Sequence, residues 1–349
     1  MFPSIRAAIV QAEQRATLTD ALEATVAGAE RAADHGAQLI VFPETWLPHY
    51  PIWLDVCERV NLWDDANVKR VYARYLDESV IVGGPATRQL GGLAQRLNAT
   101  IVIGVSERVE RGPGRGTLYN SLLTFGPDGR LANHHRKLMP THTERLVWGL
   151  GDGDGLRAVD VNEVRVGGLI CWEHWMPLAR QAMHEAGEDV HVAAWPQVKE
   201  MNHVASRHYA FEGRCFVLAA GSLMRARVLP AELPVAGGQP APDALVMHGG
   251  SAIVGPDGQY LMQPVYDREE ILVATLNLER SAEESMALDV SGHYSRPDCL
   301  RLVRQSRGRE AGSTARGALN PVAPVQAPPI AGADSDGSTH TDGFMDAPA

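Results

Sequence analysis

The stretch GGLICWEHWMP, residues 167–177, decides how the rest of the chain is read. An apolar run leads into a single cysteine, Cys171, and a knot of bulky and charged side chains follows it. Most cysteines in such a setting are packed core thiols. Cys171 is a nucleophile only if the chain also supplies a base to take its proton and a positive group to hold the charge its attack creates. An apolar run that ends in a reactive side chain also describes a strand opening onto a crevice, the usual address of an active site in a layered α/β protein.

The same kind of run recurs along the chain: AAIV (7–10), AQLIVF (37–42), SVIVGG (79–84), TIVIGV (100–105), SLLTF (121–125), VRVGGLIC (164–171), VHVAAW (190–195), CFVLAAG (215–221) and ILVATLNL (271–278). Helical patterns lie between several of them. From Asp20 to His35 the apolar Leu22, Val26, Ala29 and Ala33 share one face and Gly36 supplies a stop, and a second helix is expected over Lys199 to Arg214. The alternation predicts an α/β or α+β layered domain with helices covering its sheets. SLLTFGPDGRLANHH (121–135) and SAIVGPDGQYLMQP (251–264) both read as strand, Pro-Asp-Gly turn, strand, which hints at two sheets of related build.

Composition bounds the function. With 349 residues, 45% of them hydrophobic, the chain can bury a substantial core. Its formal charge of −10 is spread along the sequence with no basic stripe, which argues against nucleic acid as a partner. Cys57, Cys171, Cys215 and Cys299 lie far apart without CxxC spacing, against a disulfide framework or a zinc ribbon. The start, MFPSIRAAIVQAEQ, lacks the pattern of a secretory signal, and no run of eighteen apolar residues suggests a membrane span, so the reading is cytoplasmic. After about Gln305 the chain turns rich in Ala, Gly, Pro and Ser. Residues 1–304 are therefore expected to form the domain and 305–349 a disordered tail.

Three apolar runs end in side chains that make a chemical set: LIVFPE at Glu44, LANHHRK at Lys137 and VGGLIC at Cys171. A carboxylate in a partly desolvated site has a raised pKa and accepts a thiol proton near neutrality. An ammonium in a water-poor pocket stabilises the negative charge that builds when the thiolate attacks. No histidine is required.

These residues resemble a family. FPETWLPHYP (42–51), HHRKLMPTHTERLVWGLGDG (134–153) and CWEHWMPLARQAMHEAGE (171–188) are similar to the three signature regions of the nitrilase branch of the carbon-nitrogen hydrolase superfamily, and LDVSGHYSRPD (288–298) to that branch's C-terminal motif. The resemblance runs from about residue 4 to about residue 303. It implies Glu44 as general base, Lys137 as the group that holds the intermediate, Cys171 as nucleophile and Glu144 as a second glutamate beside them. It also implies an α-β-β-α sandwich that pairs into a four-layer αββα–αββα dimer, larger spirals built from such dimers, and chemistry without metal or organic cofactor. Cys-Trp-Glu, with Trp172 and Glu173 behind the nucleophile, is similar to enzymes that hydrolyse nitriles, and His174 after it looks more like the microbial ones. By the same resemblance Trp195 lines the substrate pocket. Tyr50 and Trp53 are candidates for its acyl side, with a core position as the alternative for all three.

The thirteen histidines invite a metal reading that their spacing does not favour. His134 and His135 adjoin on an expected strand and face opposite sides, while His203 and His208 are five apart, off the helical i,i+4 pairing. Tyr294 and Arg296 are expected at an interface or pocket rim, and no mechanism is drawn from His49. The expected function is hydrolysis of an organic nitrile to an acid and ammonia through a covalent thioimidate. The rivals are an amidase or a cyanide-hydrolysing relative and, from another class, a non-catalytic filament-forming scaffold, which would have no need of Glu44, Lys137 and Cys171 together.

Overall fold

Strands β1 (Ser4–Gln11), β2 (Leu39–Val41), β3 (Thr100–Arg108), β4 (Leu118–Phe125) and β5 (Leu131–Arg136) come first in the chain. They are followed by β6 (Val159–Val161), β7 (Val164–Ile170), β8 (Val190–Ala194), β9 (Phe216–Ala220), β10 (Leu223–Arg225), β11 (Leu245–Val254), β12 (Tyr260–Tyr266) and β13 (Glu270–Asn277). The computed structural model describes residues 2–304, so the expected tail at 305–349 lies outside the described residues. The first sheet runs β13-β1-β2-β3-β4-β5 and the second β10-β11-β9-β8-β7-β6, with β12 paired to β11. Each sheet has a parallel centre, β1-β2-β3 in one and β7-β8-β9 in the other, flanked by antiparallel strands.

Alternation along the strands explains the layering. Ile5, Ala7 and Ile9 of β1 join the core shared with the second sheet, while Ala8 and Val10 join a separate core with Ala21, Ala29 and Ala32 of α1 (Leu18–Asp34). In β3, likewise, Val102 belongs to the first core, and Ile101, Ile103 and Val105 to the second. A strand buried on both faces has to be apolar at nearly every position, which is why these segments read as continuous runs. Helices α1 and α4 (Pro85–Leu97) cover the first sheet; α5 (Pro177–Glu185) and α6 (Glu200–Gly213) pack Ala179, Met183, Ala205 and Tyr209 against the second. The result is an α-β-β-α sandwich. Each Ile, Leu or Val buried there contributes roughly 1.5–3 kcal/mol relative to an exposed one. Around α2 (Trp53–Val56) and α3 (Ala66–Glu78) a third apolar cluster gathers Tyr50, Trp53, Tyr75, Trp148, Met224 and Met247.

Both Pro-Asp-Gly hairpins form, β4-β5 in the first sheet and β11-β12 in the second. The expected helices are found at Leu18–Asp34 and Glu200–Gly213. One expectation fails: 79–84 is not a strand. Val80 makes a single bridge to Glu107, Gly83 takes φ +84°, and Gly84 caps the helix that Pro85 begins. A proline at the first helical turn pre-sets its φ and gives up an N–H that had no partner there, so helix initiation overrides the β-branched run before it.

Two adjacent glycines of α4 carry opposite expectations. A Cβ at Gly91 would lie 2.4 Å from the carbonyl oxygen of Gly129, in the β4-β5 turn, whereas one at Gly92 would meet nothing within 4 Å. Gly91→Ala is expected to cost about 1–3 kcal/mol through overpacking. Gly92→Ala is expected to gain about 0.4–1 kcal/mol by restricting the unfolded chain. Urea unfolding of the two variants checks both signs.

Candidate active site

Glu44 lies just beyond β2, on a loop pressed against the neighbouring strand. A Cβ on Gly104 of β3 would stand 2.3 Å from the Pro43 carbonyl oxygen and 2.7 Å from Glu44 Cα, so only glycine lets the loop close in. Leu47 N donates to the Gly104 oxygen at 3.1 Å, and Glu44 N donates to the Trp195 oxygen at 3.2 Å, which ties this loop to the end of β8 in the other sheet. Lys137 follows β5 directly. Its N–H donates to Asn120 O at 2.7 Å, and its carbonyl accepts from Gly151 N at 2.9 Å. Behind it, His134 Nε2 lies 2.7 Å from the buried Glu107 carboxylate, which also accepts from Arg136 Nε at 2.9 Å, anchoring the strand end. Glu144 sits in a 3-10 turn, His142–Leu146, where its Oε2 accepts from Thr141 N at 2.8 Å.

These three groups meet in a closed cluster. Lys137 Nζ donates to Glu44 Oε1 at 2.9 Å and to Glu144 Oε2 at 2.7 Å; Asn120 Nδ2 donates to Glu44 Oε1 at 2.6 Å, and the Tyr50 hydroxyl to Glu144 Oε1 at 3.0 Å. Glu44, Lys137 and Glu144 are 0%, 1% and 2% exposed, so water does not screen them. One ammonium cannot neutralise two carboxylates, and the cluster therefore holds a proton near neutrality. Burial raises Glu44 to about 7, with Glu144 adding to it and Lys137 and Asn120 working the other way. Burial alone would lower Lys137, yet Glu44, Glu144 and Cys171 hold it above its ordinary value, so it stays charged. Glu44 Oε2 is buried with no hydrogen-bond partner, an acceptor left open beside this cluster.

Cys171 stands at an elbow. β7 ends at Ile170, Cys171 takes φ +51°, and a 3-10 turn, Cys171–Trp175, leads to Pro177 and α5. A left-handed backbone at a non-glycine residue is uncommon and persists only where surrounding structure holds it. Glu173 does much of the holding: its carboxylate accepts from Ile170 N at 2.7 Å, Leu138 N at 2.8 Å and His135 Nε2 at 2.8 Å. One side chain thus links the residue before Cys171 to the residue after Lys137. Burial and the nearby Glu44 push the Cys171 thiol well above its ordinary range, opposed by Lys137 and the Trp172 N–H. Burial thus favours the thiol form, with Glu44 and Lys137 near enough to act on it electrostatically.

The aromatic candidates are not gathered in the same way. Tyr50 belongs to the cluster through Glu144, and Trp53 is buried in the third apolar core. Trp195 is fully buried, stacked on His174 at 4.6 Å, while Trp172 is 56% exposed. Tyr294 and Arg296 lie at the surface of the chain, Arg296 paired with Asp298. His134 and His135 do face opposite sides, and His203 is buried while His208 is exposed. Among the described residues no group of three or more His, Cys, Asp or Glu is placed to hold a metal, and no helix is long and apolar enough to cross a membrane. Reading the sequence did not single out Asn120, or Glu173 as the brace between the two loops. Asn120 carries no signal beyond its place in a strand, and Glu173 has one only in lying two residues past the cysteine.

The carbon-nitrogen hydrolase family model matches residues 6–284. The chain is 37% identical over 313 residues to a bifunctional nitrilase/nitrile hydratase of Lupinus angustifolius, covering 86% of both chains. It is also 37% identical over 309 residues to an aliphatic nitrilase of Sinorhizobium fredii, covering 88% of this chain and 97% of that one. Among solved structures, a carbon-nitrogen hydrolase from Helicobacter pylori G27 superposes with a TM-score of 0.64 at 21% identity, over 82% of this chain and 93% of that one, and shares the fold. The chain belongs to the carbon-nitrogen hydrolase family, in its nitrilase branch.

Proposed function

We propose that the protein hydrolyses an organic nitrile with two waters to a carboxylic acid and ammonia, through a covalent intermediate on Cys171. The observation that carries the reading is the dry Glu44–Lys137–Glu144 cluster with a proton to share, coupled to a thiol on a strained elbow. Glu44 Oε2 takes the Sγ proton, the C–S bond forms as one π bond of the nitrile breaks, and the nitrogen is protonated to give a thioimidate. Glu44 then deprotonates a water that adds to the same carbon. The tetrahedral intermediate is held by Lys137 and the Trp172 N–H. Breaking its C–N bond expels ammonia and leaves a thioester; a second water breaks the C–S bond and frees the acid. Glu144 fixes Lys137 for this work, and Trp172, Trp195, Tyr50 and Trp53 are proposed to shape the substrate's surroundings.

A second reading rests on the same intermediate. Breaking C–S instead of C–N at the first tetrahedral stage releases an amide, and the lupin relative's name includes nitrile hydratase. Protomers are proposed to pair through the helical layer, where Leu178 of α5 and Met201, Val204 and Phe211 of α6 are exposed.

Intact-protein mass spectrometry during turnover of a nitrile panel, with ammonia, acid and amide measured in parallel, tests the chemistry. A substrate-sized adduct on Cys171 is expected. Cys171→Ala is expected to lower turnover by at least ~10³-fold with the fold intact, and Cys215→Ala to keep most activity; comparable losses in both would mean the nucleophile is misassigned. Ammonia from amides alone would place the enzyme among amidases, and silence on both substrates would favour the scaffold. The base also has a pH signature. Because Glu44 sits at about 7 and acts ionised, kcat/KM should rise with pH through that value. Asn120→Ala removes a hydrogen bond to the carboxylate and should shift this limb upward by about 0.5–1 pH unit, with larger loss at low pH than at high. An unmoved limb would show that Glu44 is not the group being titrated.

A further inference from the structure

Behind Cys171 lies a second set of buried titratable groups that the chemistry above does not use. His174 Nδ1 is 2.6 Å from the Cys171 carbonyl oxygen, His174 Nε2 is 3.0 Å from His191 Nε2, and His191 Nδ1 is 2.9 Å from Glu188 Oε2. The far oxygen of Glu188 accepts from the Tyr209 hydroxyl. His174 and His191 are 2% and 0% exposed, and Glu188 is 7% exposed, at the edge of a surface cavity that His184 and Arg214 also line. The chain of contacts thus runs from the nucleophile's own carbonyl to the protein surface.

A carbonyl only accepts, so the first bond needs a hydrogen on His174 Nδ1. The contact between two ring nitrogens needs one hydrogen, and so does the contact between His191 and Glu188. Three bonds need three protons, whereas two neutral imidazoles and a carboxylate carry two. Of the places for the third, either ring nitrogen would leave a buried imidazolium facing a buried carboxylate. Only Glu188 lets the whole chain stay uncharged.

We infer that Glu188 is kept as a neutral carboxylic acid that donates to His191, and that this retained proton orders the His191–His174 chain which holds the Cys171 carbonyl, making Glu188 a positioning residue for the nucleophile. The inference rests on the reading of Cys171 as nucleophile. The surroundings agree with it. Toward Glu188 face His184 of α5, with Nδ1 4.0 Å from Oε1, Tyr209 of α6, His191 of β8 and the buried thiol of Cys215 before β9. His184 and the Tyr209 hydroxyl work against burial here, but His184 Nδ1 stays 4.0 Å away, beyond hydrogen-bond reach, its other nitrogen is given to Glu212 at 3.2 Å, and Arg180 is engaged by the same carboxylate. On the β7 side stands Gly167, where a Cβ would lie 2.2 Å from Glu188 Oε2, so the first glycine of GGLIC is the space the acid occupies. Asp189, next in sequence, is turned to the Arg165 N–H at 2.8 Å. Burial raises Glu188 to about 7 and lowers His174 to about 3, and it lowers His191 well below its ordinary range, directions that all place the proton on Glu188.

Glu188→Gln is the decisive variant, because its amide donates to His191 at every pH and its oxygen still accepts from Tyr209. A group whose folded pKa is raised loses stability as pH climbs from its unfolded value, near 4.5, to its folded value near 7. The melting temperature of Glu188→Gln should therefore match wild type at about pH 4.5 and exceed it increasingly up to about pH 7–8. At about pH 6 its kcat should lie within about threefold of wild type, and any alkaline decline of wild-type kcat set by this chain should be absent in it. Glu188→Ala, which leaves His191 without a donor, should lose about tenfold or more in kcat with little change in KM. A melting gap that does not change with pH, or a Glu188→Gln enzyme as impaired as Glu188→Ala at every pH, overturns the inference. Should Cys171→Ala keep its activity, the nucleophile assignment fails by itself, while the melting gap still reports on the proton.

Discussion

A single ammonium buried between two carboxylates is the constraint around which this molecule is organised. Removing Lys137 would leave two carboxylates facing each other in a dry interior, and breaking a buried pair this way costs about 3–5 kcal/mol, so both acids depend on the one ammonium. The same imbalance of charge makes the cluster useful. With one cation for two acids, burial raises Glu44 to about 7, within reach of proton exchange at neutral pH, and Asn120, Tyr50 and the Thr141 N–H occupy the other carboxylate oxygens so that Glu44 Oε2 is left open.

The sandwich supplies the precision this cluster needs. Glu44 leaves the first sheet after β2, Lys137 leaves it after β5, and Cys171 leaves the second sheet after β7. Three loops from two sheets come together because specific backbone contacts close the distances: Gly104 against the Glu44 loop, Glu44 N on Trp195 O, and Glu173 spanning Ile170 N and Leu138 N. The strain at Cys171 is carried by Glu173 on one side and His174 on the other, both within the turn that follows it.

Much of this was legible in the residues. Strands buried on both faces announce themselves as continuous apolar runs, and the two Pro-Asp-Gly turns mark hairpins that do fall in different sheets. Glu44, Lys137 and Cys171 stand out because each ends such a run, and the motifs around them carry the family. The failure at 79–84 is instructive, since Val-Ile-Val looks like a strand and the deciding signal is Gly-Gly-Pro immediately after it. Asn120, His191 and Glu188 are different. Each sits in or beside an ordinary-looking strand, and nothing within several residues tells a packed polar group from one joined to a site.

What the sequence by itself determined, then, is the set of elements and the chemistry they bring, because periodicity, turn residues and the ends of apolar runs are local properties written in neighbouring letters. The tertiary structure alone decided which groups share a proton. Glu44 and Lys137 are ninety-three residues apart, and His174 and His191 seventeen. Their protonation depends on burial and on partners from other strands, and desolvation is a property of the packed interior that a segment of chain does not possess until the sheets close over it.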